Sequence, residues 1–458
     1  MTEITGPNNV VFLVLDSLRK DRLSVYNDEI EFTDNLQALA DDAIVFDDAI
    51  TQAPWTLPSH GSMFTGCYPW EHGTTHARSY FDGSKELFLS EFTDAGYDTA
   101  AVTSNIWITP HKGMTAEFDE VENFLGTADN SLSQRIGKLS TRLYDALGTL
   151  PKRVLGRQLD RAFRLFGVDD SCKSEETIRT VESFLADQPA TDPFFLYVNL
   201  MEPHEPYHPP ADYLDTHGVD DTTGIPQRQK DLFTMDDPDF ENLRRSYDAS
   251  VDYTDDLVGR ITDSLAANGL ADDTVVVVLS DHGQALGEND GLFGHQFTTI
   301  DPVIETVLFV DHPDLDGDRQ ADPFELRRLA ELVPYYAGLA PEPDDIFADT
   351  VRGGCQFPEN FTGFIPSDAW DDYYRKHRYL IRDGVVVRKS VDDDGDARYR
   401  ATDRKTGESI AVPAELRAAI DEIDAGETAS AADTSGGEPS ETAVDEELED
   451  RLEALGYR

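Results

Sequence analysis

The chain has 458 residues and a mass of 51.0 kDa, which excludes a peptide-sized or disulfide-stapled protein and leaves room for one large domain and something smaller. Its 90 acidic and 38 basic side chains leave a net charge of −52, which argues against nucleic-acid binding through the bulk surface. A hydrophobic share of 39% still builds a core, and only 10 of the cations are lysine; the composition reads as adaptation to molar salt, where the Debye length shrinks to about 3 Å, with an acidic protein of ordinary ionic strength as the alternative.

The first segment, MTEITGPNNVVFLVLD, has no basic start and its apolar run ends at Asp16, so neither a signal peptide nor a membrane span is expected there. Cys67, Cys172 and Cys355 lie far apart and suggest neither a disulfide framework nor a metal pair. A cytoplasmic location is the default expectation. Apolar, β-branched runs at Val10 to Leu15, Ala43 to Ile50, Thr99 to Thr103, Phe194 to Leu200, Thr274 to Leu279 and Thr306 to Val310 alternate with helical patterns such as Leu36 to Ala40 and Tyr247 to Ala267. That alternation predicts an α/β fold, an α/β/α sandwich around a mostly parallel central sheet. Ligands in such folds bind beyond the carboxyl ends of the strands.

Residues 131–167 break the acidic pattern. Arg135, Lys138, Arg142, Lys152, Arg153, Arg157, Arg161 and Arg164 face only Asp145 and Asp160, and Leu132, Ile136, Leu139, Leu143 and Leu147 share one helical face. This basic helical insertion is expected to pack over the sheet, to make a dimer contact, or to lie peripherally against an anionic membrane or roof the active site while drawing in an anionic substrate. Residues 1–350 are expected to form the catalytic domain around it. From 351 to 424 hairpin-like pieces predict a small C-terminal antiparallel α+β subdomain, with an Asp-Gly turn in HRYLIRDGVVVRK. Residues 425–443 read as an acidic flexible linker and 444–458 as a terminal helix.

Four places carry chemistry. Asp16 ends the first apolar run and can present a carboxylate to a divalent cation, or merely cap a helix. Thr56 opens TLPSHGSMFTG, where a helix starting near Pro58 puts a hydroxyl at an anion-favouring N-terminus; capping is again the plainer role. His204 is fixed between Pro203 and Pro206 beyond another strand, placed to bind an oxyanion or protonate a leaving group. Asp281 and His282 end VVVVLS, and His295 follows across a glycine-rich loop; these residue types suit manganese, zinc, magnesium or calcium.

Taken together these segments resemble the sulfatase branch of the alkaline phosphatase superfamily, from about Asn9 to Val310. VLDSLRKDRLSVYN looks like its first metal strand, TLPSHGSMFTGCYP its nucleophile segment, MEPHEPY its substrate-facing histidine loop, YDASVDYTDDLVGRI the helix before its last metal strand, and SDHGQALGE with GLFGH its closing metal motif. Three departures stand out. Thr56 occupies the position of the Cys or Ser that matures to formylglycine, and His60 that of the following Arg. Ser17 replaces a second acid after Asp16, and no Lys-bearing G-K-x-H segment is visible around Thr103 to Trp107. Thr nucleophiles are those of the related lipoteichoic acid synthases and phosphoethanolamine transferases. The resemblance therefore implies one divalent ion held by Asp16, Thr56, Asp281 and His282, with Thr56 as nucleophile, His204 and His295 on the anionic ester substrate, and His60 either orienting Thr56 or packing. The implied function is metal-dependent hydrolysis of a sulfate ester or phosphodiester through a Thr56 ester. Transfer of a phospho-group to a lipid or glycan, and a catalytically silent scaffold, are the alternatives.

Overall fold

The computed structural model of the protein describes residues 4, 6, 8–124, 173–188, 192–222, 224–358 and 365–433. An eight-stranded sheet forms the centre: β1 (Asn9–Leu15), β2 (Ile44–Phe46), β3 (Asp98–Thr103), β4 (Glu120–Asn123), β5 (Phe194–Leu200), β6 (Thr274–Leu279), β7 (Leu308–Asp311) and β8 (Asp318–Gln320). They lie in the order β8-β2-β7-β6-β1-β5-β3-β4. Strands β6, β1, β5, β3 and β4 are parallel, β8 is parallel to β2, and β7 runs against both its neighbours.

The sequence of β1, NVVFLVL, has no polar face because both of its faces are buried. Val10, Phe12 and Val14 enter one core, and Val11, Leu13 and Leu15 the other. The second face is covered by α1 (Asp34–Ala40), α3 (Ser174–Asp187) and α4 (Phe240–Ala267), which contribute Leu36, Ile178, Val181, Leu243, Val251 and Val258 among others. On the first face α2 (Thr56–Thr65) lays Leu57, Met63 and Phe64 against the sheet. Phe12 meets Phe64 edge-on at 5.8 Å and stacks on Tyr197 at 6.2 Å, each such ring worth roughly 2–3 kcal/mol of burial.

The run from Ala43 to Ile50 is not one strand. Asp47 and Asp48 divide it into β2 and a two-residue strand, Ala49–Ile50, because both carboxylates are engaged by arginines, Arg319 on Asp47 and Arg404 on Asp48. Thr306 to Val310 divides likewise, into Glu305–Thr306 and Leu308–Asp311.

Beyond the α/β sandwich, β9 (Val351–Cys355), β10 (Lys376–Arg382), β11 (Val385–Val391), β12 (Ala397–Asp403) and β13 (Ser409–Ile410) form an antiparallel meander. The Asp383-Gly384 turn joins β10 to β11 with φ of 52° and 72°, the two left-handed residues of a type I′ hairpin. Helix α5 (Ala414–Asp433) packs Leu416, Ile420 and Ile423 on Leu380, Val387 and Ala401. It continues through residues 425–433, expected as the start of a linker, where alanine recurs and favours helix. The rest of that linker, the helix expected at 444–458 and the basic insertion at 131–167 lie outside the described residues. Arg404 clamps the meander to the sandwich through Asp48 at 2.7 Å and Glu305 at 2.7 Å. Among the described residues no helix is long and apolar enough to cross a membrane.

Candidate active site

Asp16, at the exit of β1, is fully buried. Its Oδ1 accepts from Ser17 Oγ at 2.9 Å and its Oδ2 from Asn105 Nδ2 at 2.7 Å. Ser17 holds φ at 61°, a left-handed conformation costing a non-glycine residue about 1 kcal/mol or more. It also directs its amide at Asp281 Oδ1, 3.2 Å away.

Asp281 leaves β6, the strand beside β1. Its Oδ1 further accepts from the His282 amide at 3.0 Å, while its buried Oδ2 has no hydrogen-bond partner among the described residues. Burial and the nearby Asp16 carboxylate push the Asp281 carboxyl well above the usual range. Gly283 must follow, because a Cβ there would lie 2.0 Å from the Pro302 carbonyl oxygen. His282 donates from Nδ1 to the Gly283 carbonyl at 2.9 Å, so the Nε2 lone pair faces Thr56 Oγ1 at 3.5 Å. Burial depresses this imidazole to about 4, which keeps it neutral and available as a ligand.

Thr56 begins α2, two residues before the expected start at Pro58. Pro58 is tolerated in the first turn, where its missing N–H has no intrahelical acceptor to lose. Thr56 Oγ1 lies 3.5 Å from Asp16 Oδ2 at the electropositive end of the helix. Asp16, Asp281 and His282 offer ligand atoms within 4.8 Å of one another. Two buried carboxylates, one oxygen unpartnered, and a neutral imidazole are a donor set that fits a divalent cation.

A second group borders the first. His204 and Glu205 follow β5, and the His204 ring meets the His295 ring edge-on at 5.3 Å. Burial alone would depress His204, but the Glu205 and Asp16 carboxylates and a bond to the Glu205 carbonyl outweigh it and leave the imidazole raised. His295 lies over His282 with centroids 4.3 Å apart; burial, with His282 and His204 beside it, holds it well below the ordinary range. His60, by contrast, has both nitrogens bonded inside the protein: Nδ1 with the Thr56 carbonyl and Nε2 with the Tyr197 hydroxyl, each at 2.8 Å. It braces the first turn of α2.

Sequence reasoning missed Asn105, Glu205 and Gln284. Asn105 stands two residues beyond the end of β3, where the G-K-x-H segment was sought, and the strand-exit rule that selected Asp16 also selects it. Glu205 and Gln284 each adjoin a predicted site residue, and only their side-chain direction distinguishes them from ordinary loop residues.

A family model for sulfatases matches residues 8–324. The chain belongs to the sulfatase family. An arylsulfatase of Clostridium perfringens (strain 13 / Type A) is 24% identical over 323 residues, 62% of this chain and 64% of that protein. A choline-sulfatase of Rhizobium meliloti (strain 1021) is 25% identical over 329 residues, 64% of this chain and 60% of that one. The match thus spans less than two thirds of either relative's length. In fold, this sulfatase-family chain superposes on BT4656, solved with D-glucosamine-2-N,6-O-disulfate, with a TM-score of 0.65 at 16% identity, covering 93% of this chain and 99% of that one. It superposes on the phosphonate monoester hydrolase SpPMH from Silicibacter pomeroyi with a TM-score of 0.63 at 19% identity, covering 92% and 94%.

Proposed function

We propose that this sulfatase-family chain is a divalent-metal-dependent hydrolase that cleaves a sulfate ester, or a phosphodiester of similar shape, through a covalent ester on Thr56. The observation that carries it is the buried convergence of Asp16, Thr56, Asp281 and His282 around the unpartnered Asp281 Oδ2. The names of the sequence relatives, arylsulfatase and choline-sulfatase, favour sulfur; the phosphonate monoester hydrolase likeness keeps phosphorus in view.

Asp16, Thr56, Asp281 and His282 would hold the cation, which when bound lowers the pKa of a coordinated hydroxyl and polarises an ester oxygen. Thr56 Oγ1 gives up its proton to solvent, attacks the tetrahedral centre in line and displaces the alcohol. His204, whose imidazole is raised toward the charged form, holds an equatorial oxygen and gives its proton to the departing alkoxide. Ser17 and Asn105 fix both oxygens of Asp16, so the carboxylate does not turn away from Thr56 as charge develops. Water then cleaves the Thr56 ester and restores the hydroxyl.

The test is elemental analysis of the purified protein, followed by turnover of aryl sulfates and aryl phosphodiesters in molar salt. One bound divalent ion per chain and turnover lost in Thr56→Ala are expected. A protein that binds no ion and turns over neither ester class would be a silent scaffold, and the proposal would be wrong.

A further inference from the structure

Each polar group of Ser17 is committed. Its amide reaches Asp281 Oδ1 at 3.2 Å and its Oγ reaches Asp16 Oδ1 at 2.9 Å, so one residue touches both carboxylates of the proposed metal centre. Its carbonyl accepts from the Tyr247 hydroxyl at 2.9 Å. The same hydroxyl accepts from the Arg19 amide at 2.7 Å. Donor and acceptor follow from the partners alone, since a carbonyl only accepts and an amide N–H only donates. From α4, 230 positions further along the chain, Tyr247 thus bridges Ser17 and Arg19 in the turn that follows β1.

Tyr247 and Ser17 are both fully buried, so loss of the hydroxyl would leave a carbonyl and an amide unpaired away from water. The Tyr247 ring is fixed edge-on against Tyr207 at 5.2 Å. The next residue, Asp248, accepts from Arg22 Nε at 2.7 Å, and α4 therefore grips the turn at two successive residues. The bridge closes on an unusual piece of backbone. Ser17 holds φ at 61°, a conformation that a residue with a Cβ leaves when nothing detains it. The angle φ is rotation about the N–Cα bond. With the amide kept on Asp281, relaxing φ swings Oγ off Asp16 and the carbonyl off Tyr247 together. The bond at the carbonyl and the bond at Oγ are therefore coupled, although only one of them involves a carboxylate of the site.

We propose that Tyr247 is a positioning residue for the metal centre: its hydroxyl locks Ser17 in the left-handed conformation and so keeps Asp16 and Asp281 in the arrangement that a divalent cation needs. This rests on the divalent-metal reading above. The role involves no proton transfer; it is carried by orientation, as for other groups that hydrogen-bond around metal ligands.

The experiment measures binding of manganese(II), zinc, magnesium and calcium, each alone, to the full-length protein by equilibrium dialysis in molar KCl, beside the melting temperature. Tyr247→Phe, Tyr97→Phe, Ser17→Gly and Ser17→Gly/Tyr247→Phe are compared with the wild type. Tyr97 is the control, another buried tyrosine, whose hydroxyl donates at 2.9 Å to the carbonyl of Asn8, at the end of β1 away from Asp16. Tyr247→Phe should weaken binding of the ion that the wild type holds by about tenfold or more, the range for groups that orient metal ligands. Tyr97→Phe should lower the melting temperature and leave that affinity alone. Glycine takes a positive φ without steric cost, so Ser17→Gly removes the need for the lock. Adding Tyr247→Phe to Ser17→Gly should then change the affinity by about twofold or less, the scatter expected of independent sites. An affinity unchanged in Tyr247→Phe, an equal loss in Tyr97→Phe, or the same loss with and without Ser17→Gly would overturn the proposal, because a residue that only packs is indifferent to the residue at position 17. Should Tyr247→Phe not fold, the double variant decides: folding and binding as Ser17→Gly does supports the lock, and failure to fold or weaker binding overturns it. A wild type that binds none of the four ions would instead overturn the divalent-metal reading itself.

Discussion

At the scale of single residues, the site separates side chains that differ little in sequence context. Thr56 and Ser59 are hydroxyls in the same helical turn, yet only Thr56 faces Asp16 and His282; Ser59 Oγ donates to the Asp281 carbonyl at 2.7 Å. Thr56→Ala should abolish turnover while leaving the melting temperature within a degree or two, since it removes a hydroxyl and one methyl at the site. Thr56→Ser should retain part of the rate. Near-normal activity in Thr56→Ala would make a water the attacking group. Asp281→Asn should lose metal together with activity, because it removes a charge from a pair that a cation offsets; elemental analysis against wild type reads this directly. A thermal scan of the Asp281→Asn apo-protein should show no loss of stability, because burial and Asp16 already disfavour the Asp281 charge.

At the scale of elements, two of the helices depend on each other. Asp255 on α4 accepts from the amides of Asn35 at 2.9 Å and Leu36 at 2.7 Å, so one helix supplies the N-terminal cap of another. The approach is close: a Cβ at Gly259 would lie 2.6 Å from Asn35 Oδ1. Asp255→Ala should cost about 1–2 kcal/mol in chemical unfolding, whereas Asp256→Ala, at an exposed residue whose carboxylate accepts from the Tyr213 hydroxyl, should cost far less. The short helix Pro69–His72 carries a second testable element. His72 bonds Ser62 Oγ at 3.1 Å and accepts from the Thr74 amide at 3.2 Å, and burial, aided by Arg78, holds it at about 3. The unfolded imidazole takes a proton near 6.5. The folded value is the lower one, so stability is full above about pH 6.5 and falls as the pH drops toward 3, because only the unfolded chain gains the proton. Melting temperature measured from pH 7 to 5 at constant molar salt should decline, and His72→Gln, which keeps a donor and an acceptor, should flatten part of that slope. An identical slope in the variant would assign the decline to the other buried histidines.

At the scale of the whole molecule, charge and architecture pull in opposite directions. The net charge of −52 leaves few cations for the surface carboxylates, since described arginines such as Arg19, paired with Asp21 at 2.7 Å and Glu288 at 2.6 Å, and Arg404, paired with Asp48 and Glu305, are already committed to specific partners. What remains is unbalanced repulsion that only dissolved ions screen. The melting temperature should therefore rise between low and molar KCl, and activity with it. A melting temperature independent of KCl would refute salt adaptation. The joint between the sandwich and the C-terminal meander should be most sensitive to this change, since its clamps at Arg404 and Arg388 are ionic.

Much of this was legible in the residues themselves. Continuous apolar strands dictated a sheet buried on both faces, because a strand with no polar side has nowhere to meet water; the Asp-Gly pair dictated a hairpin, because few residues tolerate two successive left-handed positions. The same strand-exit rule picked out Asp16, Asp281 and His282 for inspection. Tertiary structure alone decided the rest. Asn105 is joined to Asp16 across a separation of 89 residues, and no local pattern records such a pairing. The path from Glu205 through Gln284 to His295 exists only because β5 and the loops after β6 end on the same edge of the sheet. Hydrogen-bond direction, and with it the protonation of a histidine, belongs to the partners a side chain finds in space. Propensity and periodicity act along the chain and so determine elements; burial, orientation and charge pairing act across it and so determine the site.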